Sequence, residues 1–159
     1  MTNNDVLRGV RYALDLPTAA MTEIFKLSGH WVTQAKILNL LKKEEEEGFA
    51  PCTDALMEDF LSGLIVSRRG RQEGTPGQAK KAAEPLTNNS ILKKLRIALE
   101  LQEEDMLAIL QQGGNPVSKS ELSALFRKAG HKNYKECGDQ FLRNFLKGLA
   151  LRYREGAPL

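Results

Sequence analysis

The chain has 159 residues, 42% of them hydrophobic and 27% charged, and its formal net charge is +3. This composition indicates a globular protein without low-complexity bulk. No basic segment followed by an apolar run stands at Met1, and no apolar run approaches about 18 residues, so neither a signal peptide nor a membrane span is predicted and we expect a cytoplasmic protein.

The sequence contains an internal repeat, because it aligns with itself at a shift of 85 residues without a gap. Residues 2–4 fall on residues 87–89, residues 60–64 fall on residues 145–149, and nearly a third of the pairs between these ends are identical. A single repeat of about 68 residues is near the lower limit for a self-sufficient core, so we expect the two repeats to pack together.

The first helix of each repeat is predicted from apolar residues at spacings of three and four. Asn3 or Asn4 is the expected N-cap in repeat 1, and Asn88 or Asn89 is its equivalent in repeat 2. Pro17 predicts that the first helix ends at the residue before it.

The second helix is expected at about residues 19–27 and 104–112, where glycine follows each segment. The third helix should begin at Thr33 or Ser118, and Ser118 together with Glu121 has the form of a capping box.

The fourth helix is expected to start near Asp54 in repeat 1 and near Asp139 in repeat 2, and it contains a retained glycine, Gly63 or Gly148. Glycine inside a helix costs about 1 kcal/mol relative to alanine, so we interpret these glycines as points of close helix crossing. Sustained two-residue alternation is missing, so no strand is predicted. The predicted fold is all-α, with two tandem homologous four-helix repeats joined by a flexible basic linker.

The predicted organisation is helical repeat 1 at residues 1–69, a linker at residues 70–86 and helical repeat 2 at residues 87–155. The net charge is −4 for residues 1–66 (6 basic, 10 acidic), +3 for residues 67–86 (5 basic, 2 acidic) and +4 for residues 87–159 (12 basic, 8 acidic). Either the repeats attract each other, or the second repeat and the linker present a basic surface. We favour packing, with the run Glu44–Glu47 and part of the basic set near the interface.

A candidate structural or functional cluster is formed by six residues that both repeats retain. Its members are Arg11, Cys52 and Asp54 in repeat 1 and Arg96, Cys137 and Asp139 in repeat 2. Each arginine stands on an apolar stripe and needs a partner, so we predict ion pairs with the two aspartates and favour a structural role over a ligand clamp. The cysteines are expected to be reduced and packed, although a thiol near a helix N-terminus can have a lowered pKa and react.

A nucleic-acid interface is the alternative, because residues 21–41 resemble a helix-turn-helix. The run Glu44–Glu47 would repel phosphate, so the second repeat suits this role better. The candidate nucleic-acid contacts are Lys119, Arg127, Lys128 and Lys132.

Motifs for metal, cofactor or catalysis are missing from the sequence. His30 and His131 have no second His or Cys at metal-ligand spacing, so no metal site is predicted. Phosphate-binding loops, dinucleotide fingerprints and nucleophile motifs are missing as well, so neither a cofactor nor a catalytic residue is predicted. Trp31 is either a core residue or an exposed contact.

Several strings of residues carry a resemblance to a known family. They are residues 3–8 and 11–16, the Cys52-x-Asp54 pair, and residues 120–128 continuing to 130–134. With these strings the chain resembles the YehS-like family of bacterial proteins of unknown function. The resemblance implies a duplicated helical domain, and it brings no catalytic residue or ligand.

Two functions from different classes are consistent with the sequence. The first is a non-catalytic helical interaction module that binds a protein partner, and the second is nucleic-acid binding through the basic second repeat. A thiol-dependent activity at Cys52 or Cys137 ranks below both. Membrane contact is not expected, and the sequence is compatible with a homo-oligomer.

Overall fold

The computed structural model describes residues 1–70 and 86–154, and over these residues it contains eight α-helices and no strand. The helices are α1 (Asn3–Leu14), α2 (Thr18–Leu27), α3 (Gln34–Leu40), α4 (Asp54–Arg69), α5 (Asn88–Ala98), α6 (Glu103–Gln112), α7 (Lys119–Leu125) and α8 (Asp139–Tyr153). Each helix of the second repeat begins 85 residues after its counterpart, so the all-α fold of two four-helix repeats is confirmed. Residues 71–85, which contain most of the predicted linker, lie outside the described residues.

The first helix of each repeat is capped by a threonine. Thr2 accepts a hydrogen bond from the backbone N–H of Asp5, and Thr87 accepts one from that of Ser90, each within a reciprocal capping box. The prediction that asparagines cap these helices was wrong, because the threonine one residue earlier takes that position. The asparagine amides are therefore free to reach other elements.

The remaining helix ends follow local chemistry. The Ser118–Glu121 capping box is confirmed, with the Ser118 N–H donating to Glu121 Oε1 at 2.9 Å and the Glu121 N–H donating to Ser118 Oγ at 3.1 Å. Helix α1 ends at Leu14, earlier than predicted, because Asp15 adopts a left-handed conformation with a φ of 53°.

Glycine allows α4 to cross α2 closely, and α8 to cross α6. A Cβ atom on Gly63 would lie 1.8 Å from the carbonyl oxygen of Ile24, and one on Gly148 would lie 2.0 Å from that of Ile109. The predicted close crossing is confirmed, and both crossings lie within a repeat.

The first helix of each repeat packs mainly against the fourth helix of the other repeat. Helix α1 packs along α8 and α5 packs along α4, whereas α1 and α4 of the same repeat share few contacts, as do α5 and α8. Helix α2 covers α4 and α6 covers α8, and the buried residues of both repeats form one core. The expectation that the repeats pack together is confirmed, and each repeat completes the core of the other.

The four central helices α1, α4, α5 and α8 run in the same direction. At their starting ends, the Met1 ammonium lies 2.9 Å from Asp139, and Asn3 donates to Asp54 at 2.8 Å. Asn88 likewise donates to Asp139, at 2.8 Å. At the far ends, Arg154 pairs with Asp15 at 3.0 Å, and Arg69 lies 3.9 Å from Glu100.

Parallel helices bring the positive ends of their dipoles together and the negative ends together, which causes repulsion. The charged side chains in the terminal turns offset this repulsion. Acidic residues occupy the first turns, namely Asp5, Asp54 and Asp139. Basic residues occupy the last turns, namely Arg11, Arg68, Arg69, Arg96 and Arg152. The retained arginines and aspartates therefore belong to opposite ends of the central helices.

Part of the basic set lies at the interface between the repeats as expected, but its acidic partner is not the predicted run. Lys94 of repeat 2 pairs with Glu58 of repeat 1 at 2.7 Å. The run Glu44–Glu47 is exposed in the loop after α3 and does not lie at the interface. Arg8 donates to the carbonyl oxygen of Lys42 and Asn4 donates to that of Ala50, and these bonds hold both ends of the loop on α1 of the same repeat.

None of the described helices is both long enough and apolar enough to cross a membrane.

Candidate functional site

The buried side chain of Asn4 joins α1 to both ends of the α3–α4 connection. Its Nδ2 donates to the carbonyl oxygens of Leu40 at 2.8 Å and Ala50 at 2.9 Å, and its Oδ1 accepts from the backbone N–H of Cys52 at 2.9 Å. The amide thereby satisfies three backbone groups that the connection itself leaves unpaired.

Repeat 2 contains the same arrangement around Asn89. Its Nδ2 donates to the carbonyl oxygens of Leu125 at 3.0 Å and Lys135 at 2.8 Å, and its Oδ1 accepts from the N–H of Cys137 at 2.8 Å. Among the described residues, Asn4 and Asn89 are the buried polar ones. Sequence reasoning missed this role, although the doubled Asn-Asn pair was visible in the repeat.

The neighbouring asparagine holds the Cys-x-Asp segment. Asn3 Nδ2 donates to the carbonyl oxygen of Cys52 at 3.1 Å and to Asp54 Oδ1 at 2.8 Å. Asn88 makes the equivalent bonds to Cys137 and Asp139. We call each set of Asn-Asn and Cys-x-Asp residues an asparagine junction.

The predicted ion pairs between the retained arginines and aspartates do not form, and that prediction was wrong. Asp54 and Asp139 stand in the junctions at the starting ends of the central helices. Arg11 stands about 12 Å further along α1 than Asn3, at 1.5 Å per residue. The two groups therefore lie at opposite ends of parallel helices, beyond ion-pairing distance.

The two retained arginines have different surroundings. Arg96 Nε donates to the carbonyl oxygen of Leu101 at 3.0 Å, and its guanidinium lies 4.7 Å from the centre of the Phe126 ring. Arg11 Nε is buried without a hydrogen-bond partner among the described residues. Both side chains are half-buried in the last turn of a helix, where positive charge is favourable.

The two thiols are free and buried. Burial raises the pKa of Cys52 to about 12, and the nearby carboxylate of Asp54 adds to the rise. Burial raises the pKa of Cys137 to about 11, with a second contribution from Asp139. Proximity to a helix N-terminus therefore does not lower the pKa of either thiol. Both thiols are protonated at neutral pH and are poor nucleophiles.

We expect alkaline pH to destabilise the protein through these cysteines. Their folded pKa values lie above the ordinary value of 9.0, so their contribution is fully present below about pH 9 and is lost as pH rises toward 11–12. Urea unfolding at a series of pH values should show this loss, and a Cys52→Ala/Cys137→Ala variant should show a shallower one. An identical slope in that variant would contradict the prediction.

The candidate nucleic-acid contacts are all exposed, but they do not form one set. Lys119 Nζ lies 3.7 Å from Glu103 at the start of α6. Arg127, Lys128 and Lys132 lie in the α7–α8 connection, and no described carboxylate is within ion-pairing distance of them. We call these three residues the basic loop.

The outer helices depart from helix-turn-helix geometry. Residues 28–33 connect α2 to α3, whereas the usual connection has about three or four residues. Helices α3 and α7 have seven residues each, about 10 Å at 1.5 Å per residue. Either one is short for a helix that reads bases.

Trp31 is exposed and is not a core residue. Its side chain is 76% exposed, and the Lys26 ammonium lies 4.5 Å from the ring centre. Leu38 on α3 is 53% exposed. The equivalent positions in repeat 2 carry Pro116 and Ser123. We call Trp31 and Leu38 the tryptophan surface, and repeat 2 has no counterpart to it.

The part of the chain that the structure describes contains no group of three His, Cys, Asp or Glu side chains placed to hold a metal ion.

Comparison with known protein sequences assigns the chain to a family. The family model described as "Protein of unknown function (DUF1456)" matches residues 3–70 and residues 88–155. The chain is 45% identical over 152 residues to "Uncharacterized protein YehS" of Escherichia coli (strain K12), and the alignment covers 96% of each chain. No solved structure matches the chain significantly. The chain therefore belongs to the DUF1456 family of proteins of unknown function, with one family domain in each repeat.

Proposed function

We propose that the protein is a non-catalytic interaction module that binds a protein partner through the tryptophan surface of repeat 1. This proposal rests on the exposure of the Trp31 side chain. Tryptophan is enriched among the residues that dominate binding energy at interfaces, and its burial removes about 150–250 Å² from water. An exposed tryptophan ring can therefore act as an anchor for a binding partner.

The backbone beneath Trp31 is well held, which supports the same proposal. His30 Nδ1 lies 2.8 Å from Asp59 Oδ2 on α4, and the His30 ring packs edge-on against Phe25. Val32, on the other side of Trp31, is buried in the core. An anchor presented on a fixed backbone loses less conformational entropy when it binds.

We place this activity in the cytoplasm. The two cysteines are free thiols, which is the state expected in a reducing compartment.

A Trp31→Ala/Leu38→Ser variant should lose the partner. We expect affinity capture from nuclease-treated lysate to retain at least one protein on the wild-type chain, and this protein to bind the variant about thirtyfold more weakly or worse, because a tryptophan hot spot contributes about 2 kcal/mol or more. The matched control is Pro116→Ala/Ser123→Ala, which changes the equivalent positions of repeat 2.

The control should retain the same protein in wild-type amount. Equal retention on all three chains would show that the tryptophan surface does not bind the partner, and loss on both variants would point to a general effect of the substitutions.

Nucleic-acid binding through the basic loop is the second candidate, and the lack of carboxylate partners for Arg127, Lys128 and Lys132 favours it. We expect weak binding of a short DNA duplex at low salt that disappears toward physiological salt, because such contacts depend on counterion release. Fluorescence anisotropy across a salt series measures this. Binding that persists at about 150 mM salt and is lost in Arg127→Ala/Lys128→Ala/Lys132→Ala would favour nucleic acid over a protein partner.

A further inference from the structure

Two helix–helix interfaces join the repeats, one between α1 and α8 and the other between α4 and α5. We call each interface a seam. The internal duplication relates the two seams, but their side chains differ. In the seam of α1 and α8, small residues occupy two facing positions, Gly9 and Ala150. The equivalent positions in the seam of α5 and α4 carry Lys94 and Ile65. Each seam therefore serves as an internal comparison for the other.

The α1–α8 seam contains an open groove of about 430 Å³. Gly9, Leu146, Ala150 and Leu151 provide its apolar lining, and the half-exposed ring of Tyr12 stands at one end. The other seam is bridged by an ion pair in which Lys94 Nζ lies 2.7 Å from Glu58 Oε2. The α1–α8 seam lacks both members of that bridge, since Gly9 replaces the lysine and Arg143 replaces the glutamate.

The charges around the groove are mainly positive. Arg143 and Lys147 are exposed, one helical turn apart on α8. Arg143 lies near Asp139, and the pKa of that carboxyl is lowered by the hydrogen bond from Asn88 and also by the charge of Arg143, but neither cation is within ion-pairing distance of a described carboxylate. On the opposite rim, Arg8 is paired with Asp5. At the far end, Arg154 is paired with Asp15 and covers the Tyr12 ring at 4.2 Å. The unpaired charge therefore comes from α8.

We propose that this groove binds an amphipathic helix of a protein partner, with an apolar face and acidic residues along the flank that faces Arg143 and Lys147. Two parallel helices leave a straight groove between them, and a third helix can lay apolar side chains at i, i+3, i+4 and i+7 into it. The exposed positive charges of Arg143 and Lys147 select an acidic flank over a basic one. This surface is built by other helices than the tryptophan surface and does not depend on it.

The groove can be closed with residues that the protein already uses in its other seam. Gly9→Lys/Arg143→Glu transplants the Lys94–Glu58 bridge. A Cβ atom on Gly9 would lie 3.0 Å from Leu146 Cδ1, the end of a flexible side chain, and Gly9 does not have a positive φ. We therefore expect this variant to fold. Arg143→Glu/Lys147→Glu, which changes only exposed side chains, is a second variant that leaves the groove open and reverses its charge.

The test uses the full chain and a fluorescein-labelled peptide of about 18 residues, or five helical turns. The peptide has leucine at helical spacing and glutamate on the flank, and a second peptide carries lysine in place of glutamate. We expect the acidic peptide to bind the wild-type chain in fluorescence anisotropy at about 150 mM salt, and to bind both variants about tenfold more weakly or worse. The charge control Lys93→Glu, on the exposed face of α5, should bind as the wild type does.

Three results would overturn the proposal. They are an acidic peptide that does not bind the wild-type chain, acidic and basic peptides that bind equally, and affinity that is unchanged in both groove variants. Thermal unfolding of each variant establishes that a loss of binding is not a loss of folding.

Discussion

Replacing Gly63 with alanine is expected to destabilise the protein by about 3 kcal/mol or more, at the upper end of the cost of overpacking. In an ordinary helix the same change gains about 1 kcal/mol, because alanine has the higher helix propensity. The sign reverses here because the new Cβ atom would lie 1.8 Å from a backbone oxygen, that of Ile24. A backbone atom cannot rotate away, so α4 must move off α2. Urea unfolding followed by helical circular dichroism measures the loss, and Gly148→Ala should behave alike.

The matched control is Gly138→Thr at the N-cap of α8. Gly138 has a φ of −77°, and nothing lies within 4 Å of an added Cβ atom. The equivalent residue of repeat 1 is Thr53, whose side chain accepts from the N–H of Leu56 at 3.1 Å. The control should be unchanged or more stable by a few tenths of a kcal/mol. If Gly63→Ala unfolds at the same urea concentration as the wild type, the close crossing is not rigid.

Local sequence patterns predicted the positions of the helices well. They could not show which helices pack against each other. The apolar stripe of α1 includes Leu7 and Val10, and both are fully buried. The stripe shows which face is buried, but α4 and α8 carry almost the same apolar residues, so either could cover it. Only the packing of the complete chain shows that α1 lies along α8.

The candidate site was misread because residue types do not show helix direction. Arg11 and Asp54 are chemically complementary, yet parallel helices put them at opposite ends, where each complements a helix dipole. Asn3 and Asn4 suit an N-cap equally well by local preference. The bonds that they make instead reach Cys52 and Asp54 across about 50 residues of sequence, and no local rule predicts such bonds.

Comparison of the two repeats distinguishes the residues that stabilise the fold from the surface residues that differ between the repeats. The retained positions, such as Asn4 and Gly63, make contacts that both repeats need. Several exposed or groove-lining positions have diverged: Trp31 stands opposite Pro116 in the alignment, and Gly9 stands opposite Lys94. Because the divergent positions are free of the shared structural role, they are where a function specific to one repeat can reside. For this reason both proposals rest on divergent residues and not on the retained cluster.

Replacing Asn4 with leucine, which has the same number of side-chain heavy atoms, is expected to destabilise the protein by about 3–5 kcal/mol. The variant leaves the carbonyl oxygens of Leu40 and Ala50 and the N–H of Cys52 without their partner. Each buried polar group left unsatisfied costs about 1–3 kcal/mol, and some relaxation toward water lowers the sum. Urea unfolding, followed by circular dichroism and by the fluorescence of the single tryptophan, measures the effect.

A carboxylate does not restore the junction, because Asn4→Asp keeps the acceptor for the Cys52 N–H but loses the donor that both carbonyl oxygens require. Asn3→Ala is the milder control, since its two bonds lie nearer to solvent, and it should cost about 1 kcal/mol. If Asn4→Leu stays within about 1 kcal/mol of the wild type, water replaces the amide at no great cost and the junction does not hold the α3–α4 connection. A cost of about 3 kcal/mol or more for both Asn4→Leu and Asn89→Leu would show that each junction is necessary for both repeats. The physical reason is the shared core, in which α1 covers α8 and α5 covers α4.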